Sequence, residues 1–247
     1  MDKIIHYFWF GHHEKPELVQ RCIASWKQQM PDWKIIEWNE TNYDVNCIPY
    51  SKEAYEAHKY AFVSDYARCK VIYEYGGVYL DTDVELLKPL DDLVNRCQGF
   101  MGFELEETVN PGSILASDKG NALLGEICRA YQKASFIENG KLNLKTVVEF
   151  TTEILLLHGL NPNGTEQIIE GITIFPKEYF SPMDIYTEEL IITEHTYSIH
   201  HYTATWQPWY RDLSGKIRSW CKRLIGPKWT RVFIDKKRGI KRFLKKV

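Results

Sequence analysis

Gly76-Gly77-Val78-Tyr79-Leu80-Asp81-Thr82-Asp83 is the stretch on which the reading of this chain turns. A helical run reaches Tyr75 and stops at two glycines, which end helices by taking the left-handed conformation without a Cβ clash. Val78, Tyr79 and Leu80 then suit a short buried strand. Asp81 and Asp83 stand where that strand runs out. In a strand, residues i and i+2 share a face, so both carboxylates can address one point. Hard oxygen ligands converging on one point suit Mg²⁺ or Mn²⁺, ions that commonly bridge to substrate phosphates. The plain alternative is a solvated acidic turn, because Asp-x-Asp occurs by chance in many proteins.

Upstream, a long helix is expected from about Ser51 to Tyr75. It carries Asp65 and Arg68 three residues apart, on one face with Ala61 and Ser64. Taken locally this is an intrahelical ion pair worth a few tenths of a kcal/mol. Because the helix runs straight into the aspartate strand, its polar stripe can also flank the same pocket. Earlier still, Lys3 to Phe10 reads as a buried strand closed by Gly11, Pro16 to Gln29 as a helix, and Trp33 to Trp38 as a second strand. Trp9 ends the first strand among Tyr7, Phe8 and Phe10. Such aromatics are usually core, but a strand-end Trp beside a metal site can stack on a base, a contact worth about 1–3 kcal/mol. The alternation predicts an α/β fold with a mostly parallel central sheet, which binds ligands beyond the carboxyl ends of its strands.

Downstream, a short helix is expected at Asp91–Arg96, a strand at Gly99–Glu104, a turn at Asn110-Pro111-Gly112 and a strand at Ile114–Ala116. Helices are expected over Gly120–Lys133 and Leu142–His158, and late strands over Ile172–Phe175 and Thr196–His201. His200 and His201 are adjacent and so point to opposite faces of a strand. At most one of them reaches a given metal.

The chain has 247 residues, 44% of them apolar, enough for one α/β domain with an appendage. Six scattered cysteines form neither a zinc pattern nor a disulfide framework, which points to a reducing compartment. No apolar run is long enough for a signal peptide or a spanning helix, so a cytoplasmic protein, soluble or peripheral, is expected. The net charge of −2 hides an asymmetry: residues 214–247 hold 13 Lys and Arg against a single acidic residue, Asp235. This divides the chain into an acidic body over 1–213 and a basic tail over 214–247. In the tail, Ile217, Trp220, Cys221 and Leu224 follow helical spacing, as do Ile240, Phe243, Leu244 and Val247. That pattern suits helices lying on an anionic membrane surface, or a solvated basic pair packed on the acidic body.

The blocks Tyr60-Ala61-x-x-Ser64-Asp65-Tyr66-Ala67-Arg68 and Tyr75-Gly76-Gly77-Val78-Tyr79-Leu80-Asp81-Thr82-Asp83 resemble glycosyltransferase family 32. The opening Lys3 to Gly11 and the closing His200 to Trp206 fit as well, and the clostridial glucosylating toxins have a distantly similar core. The resemblance implies a GT-A (Rossmann-like) fold, a nucleotide-sugar donor with UDP favoured, Mn²⁺ or Mg²⁺, and retention of anomeric configuration. By position, Trp9 would stack on the base with Phe8 beside it, and Ser64, Tyr79 and Leu80 would line the nucleotide pocket. Asp65 and Arg68 would hold the donor sugar. Asp83 would bind the metal directly, Asp81 would contact metal or ribose, His201 would be the late metal ligand, and Trp206 would contact the diphosphate. Asp65, Arg68, Asp81 and Asp83 are thus the expected catalytic set, and Glu104 is the carboxylate best placed to support them. Thr205 stands where the family often has Ser.

The implied acceptor is a saccharide, lipid-linked in many bacterial capsule and exopolysaccharide enzymes, which suits a peripheral position on the inner face of a bacterial plasma membrane. Two rival readings stand beside this one. A nucleotide-sugar pyrophosphorylase should carry a Gly-rich phosphate loop after the first strand, and Gly11-His12-His13-Glu14 is not one. A nucleic-acid-binding protein would use the basic tail, but nucleic acid is not the expected partner.

Overall fold

The computed structural model describes residues 1–185 and 187–203. The first strand, β1 (Ile4–Phe8), pairs in parallel with β2 (Lys34–Trp38) on one side. The crossover between them, α1 (Glu17–Gln29), buries Val19, Cys22 and Trp26 along one stripe. Its Trp26 indole donates to the Val84 carbonyl at 2.7 Å, tying the helix to the segment beyond the aspartates.

The long helix expected from Ser51 to Tyr75 is two helices, α2 (Pro49–Glu56) and α3 (Tyr60–Tyr75). The break is a Schellman closure in which His58, at φ 55°, takes the left-handed position usually given to glycine. The Lys59 N–H reaches back to Ala54 O at 2.8 Å and that of His58 to Tyr55 O at 2.9 Å. α3 shows almost no amphipathic stripe because it is covered on several sides. Phe62, Val63, Tyr66, Ala67, Cys69, Val71 and Ile72 are all buried, and so are Asp65 and Arg68. It ends at Gly76, at φ 70°, and Gly77 follows at φ 95°. A Cβ on Gly77 would stand 2.7 Å from the Ile4 carbonyl oxygen, so only glycine lets β3 (Gly77–Tyr79) close against β1.

Beyond β3 come β4 (Val84–Leu86), α4 (Asp91–Arg96), β5 (Gly99–Leu105), β6 (Thr108–Val109) and β7 (Leu115–Ser117). Next are α5 (Ala122–Lys133) and a hairpin of β8 (Ile137–Glu138) and β9 (Lys141–Leu142). α6 (Val147–Leu157) follows, then β10 (Gln167–Ile169), β11 (Ile172–Phe175) and β12 (Ser198–His200). The main sheet runs β10-β11-β5-β7-β3-β1-β2, with β6 added to β5. β2, β1, β3, β5 and β11 share one direction, while β7 and β10 run against their neighbours. This is the mostly parallel, helix-flanked α/β sheet expected. α6 begins at Val147 rather than Leu142, behind a Thr146–Glu149 capping box. β4 and β12 form a separate antiparallel pair.

The chain divides into two compact units, and the elements above belong to residues 1–182 and 192–201. In the described part of the other unit, Met183 and Leu190 form an antiparallel bridge, and Asp184 accepts the Thr187 N–H at 2.8 Å. Trp206 and the basic tail over 214–247 lie outside the described residues. Among the described residues, no helix is long and apolar enough to cross a membrane.

Candidate functional site

Asp81 and Asp83 do not lie on a strand. β3 ends at Tyr79, and the two carboxylates are carried by a turn closed by the Val84 N–H on Asp81 O at 3.0 Å. The turn, not strand alternation, makes them converge. It is held from below by the Leu80 N–H on His6 O and by the Asp81 N–H on Gly112 O at 3.0 Å. Leu80 itself is fully buried core.

The third partner comes from far along the chain. β12 lies antiparallel to β4 with His200 opposite Val84, which sets the His200 ring beside the turn. His200 Nε2 is 3.2 Å from Asp83 Oδ1 and 4.0 Å from Asp81 Oδ2. One ligand atom from each of the three residues lies within 4.8 Å of the other two. Two donors at right angles on a sphere of about 2.1 Å radius stand about 3 Å apart, so these residues fit one divalent ion. Two carboxylates with one imidazole suit Mn²⁺ better than the harder Mg²⁺. Burial would lower the His200 pKa, but Asp83, Asp81 and Glu104 outweigh it and raise it. The expectation for His201 is corrected. It faces the other way and meets Glu85 Oε2 at 2.8 Å, while only its backbone N–H reaches Asp83 O. Adjacent residues on a strand point to opposite faces, and the register gives the site to His200.

α3 supplies the second half. The Arg68 Nη2 donates to Asp65 Oδ1 at 2.8 Å, and its Nη1 lies 3.2 Å from Asp81 Oδ1. Arg68 thereby joins the helix stripe to the acidic turn, so it is more than the local ion pair its spacing suggests. It is fixed further by its Nε on Ser64 O at 3.0 Å and by the Tyr79 ring 4.7 Å beneath it. The Tyr79 hydroxyl donates to Asp81. Asp65 Oδ2 accepts the Val147 N–H at 3.2 Å, a free donor at the start of α6. Burial pushes the Asp65 carboxyl up to about 6, with Arg68 opposing and the charge of Asp81 adding to the rise.

The loop between β6 and β7 completes the wall. Asn110 accepts the Gly112 N–H at 2.7 Å and donates to Glu104 Oε1 at 2.7 Å. A Cβ on Gly112 would fall 2.3 Å from Asp81 Oδ2 and 2.7 Å from Arg68 Nη1. Sequence reading saw only a turn here, and it had no local signal at all for the Val147 N–H. Trp9 stands half-buried after β1, its indole donating to His13 O at 2.6 Å and Lys15 Nζ 5.9 Å from its ring. Phe8, by contrast, is packed with Phe10, Trp38, Tyr43 and Tyr79 and is 6% exposed, so it supports the pocket rather than lining it.

Residues 16–99 match the family described as glycosyltransferase sugar-binding region containing DXD motif. Over those residues the chain is similar to that sugar-binding region. That region spans α1 to the start of β5 and contains the Asp65–Arg68 pair together with the aspartate turn. The chain is 30% identical over 105 residues to inositol phosphoceramide mannosyltransferase 1 of Schizosaccharomyces pombe, covering 38% of this chain and 31% of that protein. It is 23% identical over 164 residues to subversion of eukaryotic traffic protein A of Legionella pneumophila, covering 54% of this chain and 25% of that protein. It thus spans about a quarter to a third of the length of these curated relatives. Among solved structures, the PaToxG glycosyltransferase matches with a TM-score of 0.45 and 18% identity, covering 63% of this chain and 69% of that one.

Proposed function

We propose that this DXD domain is a metal-dependent, retaining transferase that moves a sugar from a nucleotide sugar, UDP-linked by preference, to a saccharide acceptor. The observation that supports this best is the convergence of Asp81, Asp83 and His200 on one point, with Arg68 bridging that point to Asp65. Asp81, Asp83 and His200 would hold the ion, which supplies positive charge to a leaving diphosphate. Asp65 and Arg68 present fixed acceptor and donor groups to the sugar hydroxyls at the pocket wall. Trp9 offers its ring to the base. Charge that develops on the leaving group is then met by groups already in place, so little reorganisation is needed.

The test is donor hydrolysis with Mn²⁺ across a panel of UDP- and GDP-sugars. Asp83→Ala and Asp81→Ala should each abolish turnover, and unchanged turnover in either would overturn the metal assignment. The acceptor is proposed to be lipid-linked, in surface polysaccharide synthesis at the inner face of the plasma membrane, because the sequence of residues 214–247 pairs a strong basic charge with apolar residues at three- and four-residue spacing. Flotation on anionic liposomes should be lost when residues 214–247 are removed. Tight oligonucleotide binding without flotation would sink the membrane proposal.

A further inference from the structure

α2, α3, α5 and α6 enclose polar groups that the donor-side reading leaves unused. The hydroxyl oxygens of Tyr50, Tyr131 and Thr151 are buried, and none has a hydrogen-bond partner among the described residues. The two phenols belong together. Their rings meet edge to face at 5.0 Å, and Tyr131 stacks on Phe150 at 4.4 Å. Both feel the charge of Asp65, which adds to the burial that raises them. Thr151 stands one helical turn after Val147, whose N–H holds Asp65 Oδ2, so it shares the face that α6 turns toward Asp65.

Buried hydroxyls are nearly always satisfied, by protein or by ordered water, and a polar site needs two to four partners to keep a water. The groups available as partners are three hydroxyls, on α2, α5 and α6, and a carboxylate on α3 with lone pairs beyond those used by Arg68 and Val147. We infer that a buried hydration site lies behind Asp65, its water joining the Tyr50, Tyr131 and Thr151 hydroxyls to the carboxylate, so that the two tyrosines are positioning residues for Asp65. This rests on the reading of Asp65 as a donor-sugar ligand. The water fixes the rotamer of Asp65 from behind while Arg68 fixes it from the front.

Removing a hydroxyl gives results of opposite sign in the two cases. A phenol buried dry carries an uncompensated desolvation cost, so Tyr→Phe stabilises the fold; a phenol on a bound water loses a hydrogen bond and strands the water, so Tyr→Phe destabilises it. The experiment is thermal melting of the full chain as Tyr50→Phe and Tyr131→Phe, with the steady-state donor KM and kcat of each. The expected result is a melting temperature about 2–4 °C lower for each variant, with the donor KM raised several-fold and kcat nearly unchanged. An equal or higher melting temperature overturns the hydration site. A lowered melting temperature with unchanged KM overturns the positioning role. Asp65→Asn is the control: if it too leaves KM unchanged, the donor-clamp reading fails, while the melting result still decides the water.

Discussion

A methyl group on residue 112 has nowhere to go. It would stand 2.3 Å from the Asp81 carboxylate and 2.7 Å from a guanidinium that is itself buried, so one of the two must move. Gly112→Ala should therefore lower donor kcat/KM by about 10–100-fold, as displacements near 1 Å do in positioned sites, with the melting temperature little changed. Steady-state kinetics beside a melting curve would check this, and full activity would show that Arg68 and Asp81 are not held as described. The histidines give a second prediction at this scale. His200→Ala should weaken Mn²⁺ binding at least about 10-fold, while His201→Ala should leave it close to the unsubstituted value. Calorimetry on both variants separates them. The pair His200-His201 is visible in sequence, but which member faces the aspartates is set by its pairing with Val84, 116 positions back from His200, and no local pattern reports that register. That Asp65 and Arg68 lie beside the aspartate turn was legible because each group sits in a short, spaced motif. Gly112 and the Val147 N–H were not, since their roles exist only after three separate segments meet.

Among the elements, β1 carries a polar residue that the apolar run conceals. His6 is fully buried, takes the Trp38 indole N–H on Nδ1 at 3.0 Å and donates from Nε2 to the Gly76 carbonyl at 3.0 Å. Both nitrogens are used by the neutral ring, so a second proton would face the Trp38 donor. Burial lowers its pKa to about 4, with the Gly76 contact opposing. The unfolded chain titrates near 6.5, so between these values it takes up a proton that the native state refuses. Stability from His6 is then complete above about pH 6.5 and falls as the pH drops toward 4, by at most about 3 kcal/mol. Denaturant midpoints measured over that range should fall, and His6→Gln should flatten the slope. Helix ends show why elements were only partly readable. Thr146-x-x-Glu149 is a plain capping box, yet the apolar pattern running back to Leu142 hid it. The break between α2 and α3 rests on His58 in a glycine conformation, which composition does not signal.

For the whole molecule, a bound ion should raise stability by mass action, since the three ligands converge only in the folded state. At a free Mn²⁺ concentration 100 times Kd the gain is about 2.7 kcal/mol, equivalent to several degrees for a chain of this size. Melting with Mn²⁺ and with chelator should show that shift, and Asp83→Ala should erase it without any assay of turnover. The main sheet was legible as a whole because strand and helix alternate from residue 3 to residue 80. The antiparallel insertions β7 and β10 were not, because a strand's direction is a tertiary fact.

The small β4–β12 ladder has a consequence for timing. The aspartate turn is held to the body by Trp26 and Gly112, but its third ligand arrives on the last described strand of this unit. On the proposed metal reading, full affinity would come only after that strand docks, and an ion seated there would act as a clasp across the ladder. Amide exchange at Ser198–His200 should slow when Mn²⁺ is added, while exchange in β1 stays as it was.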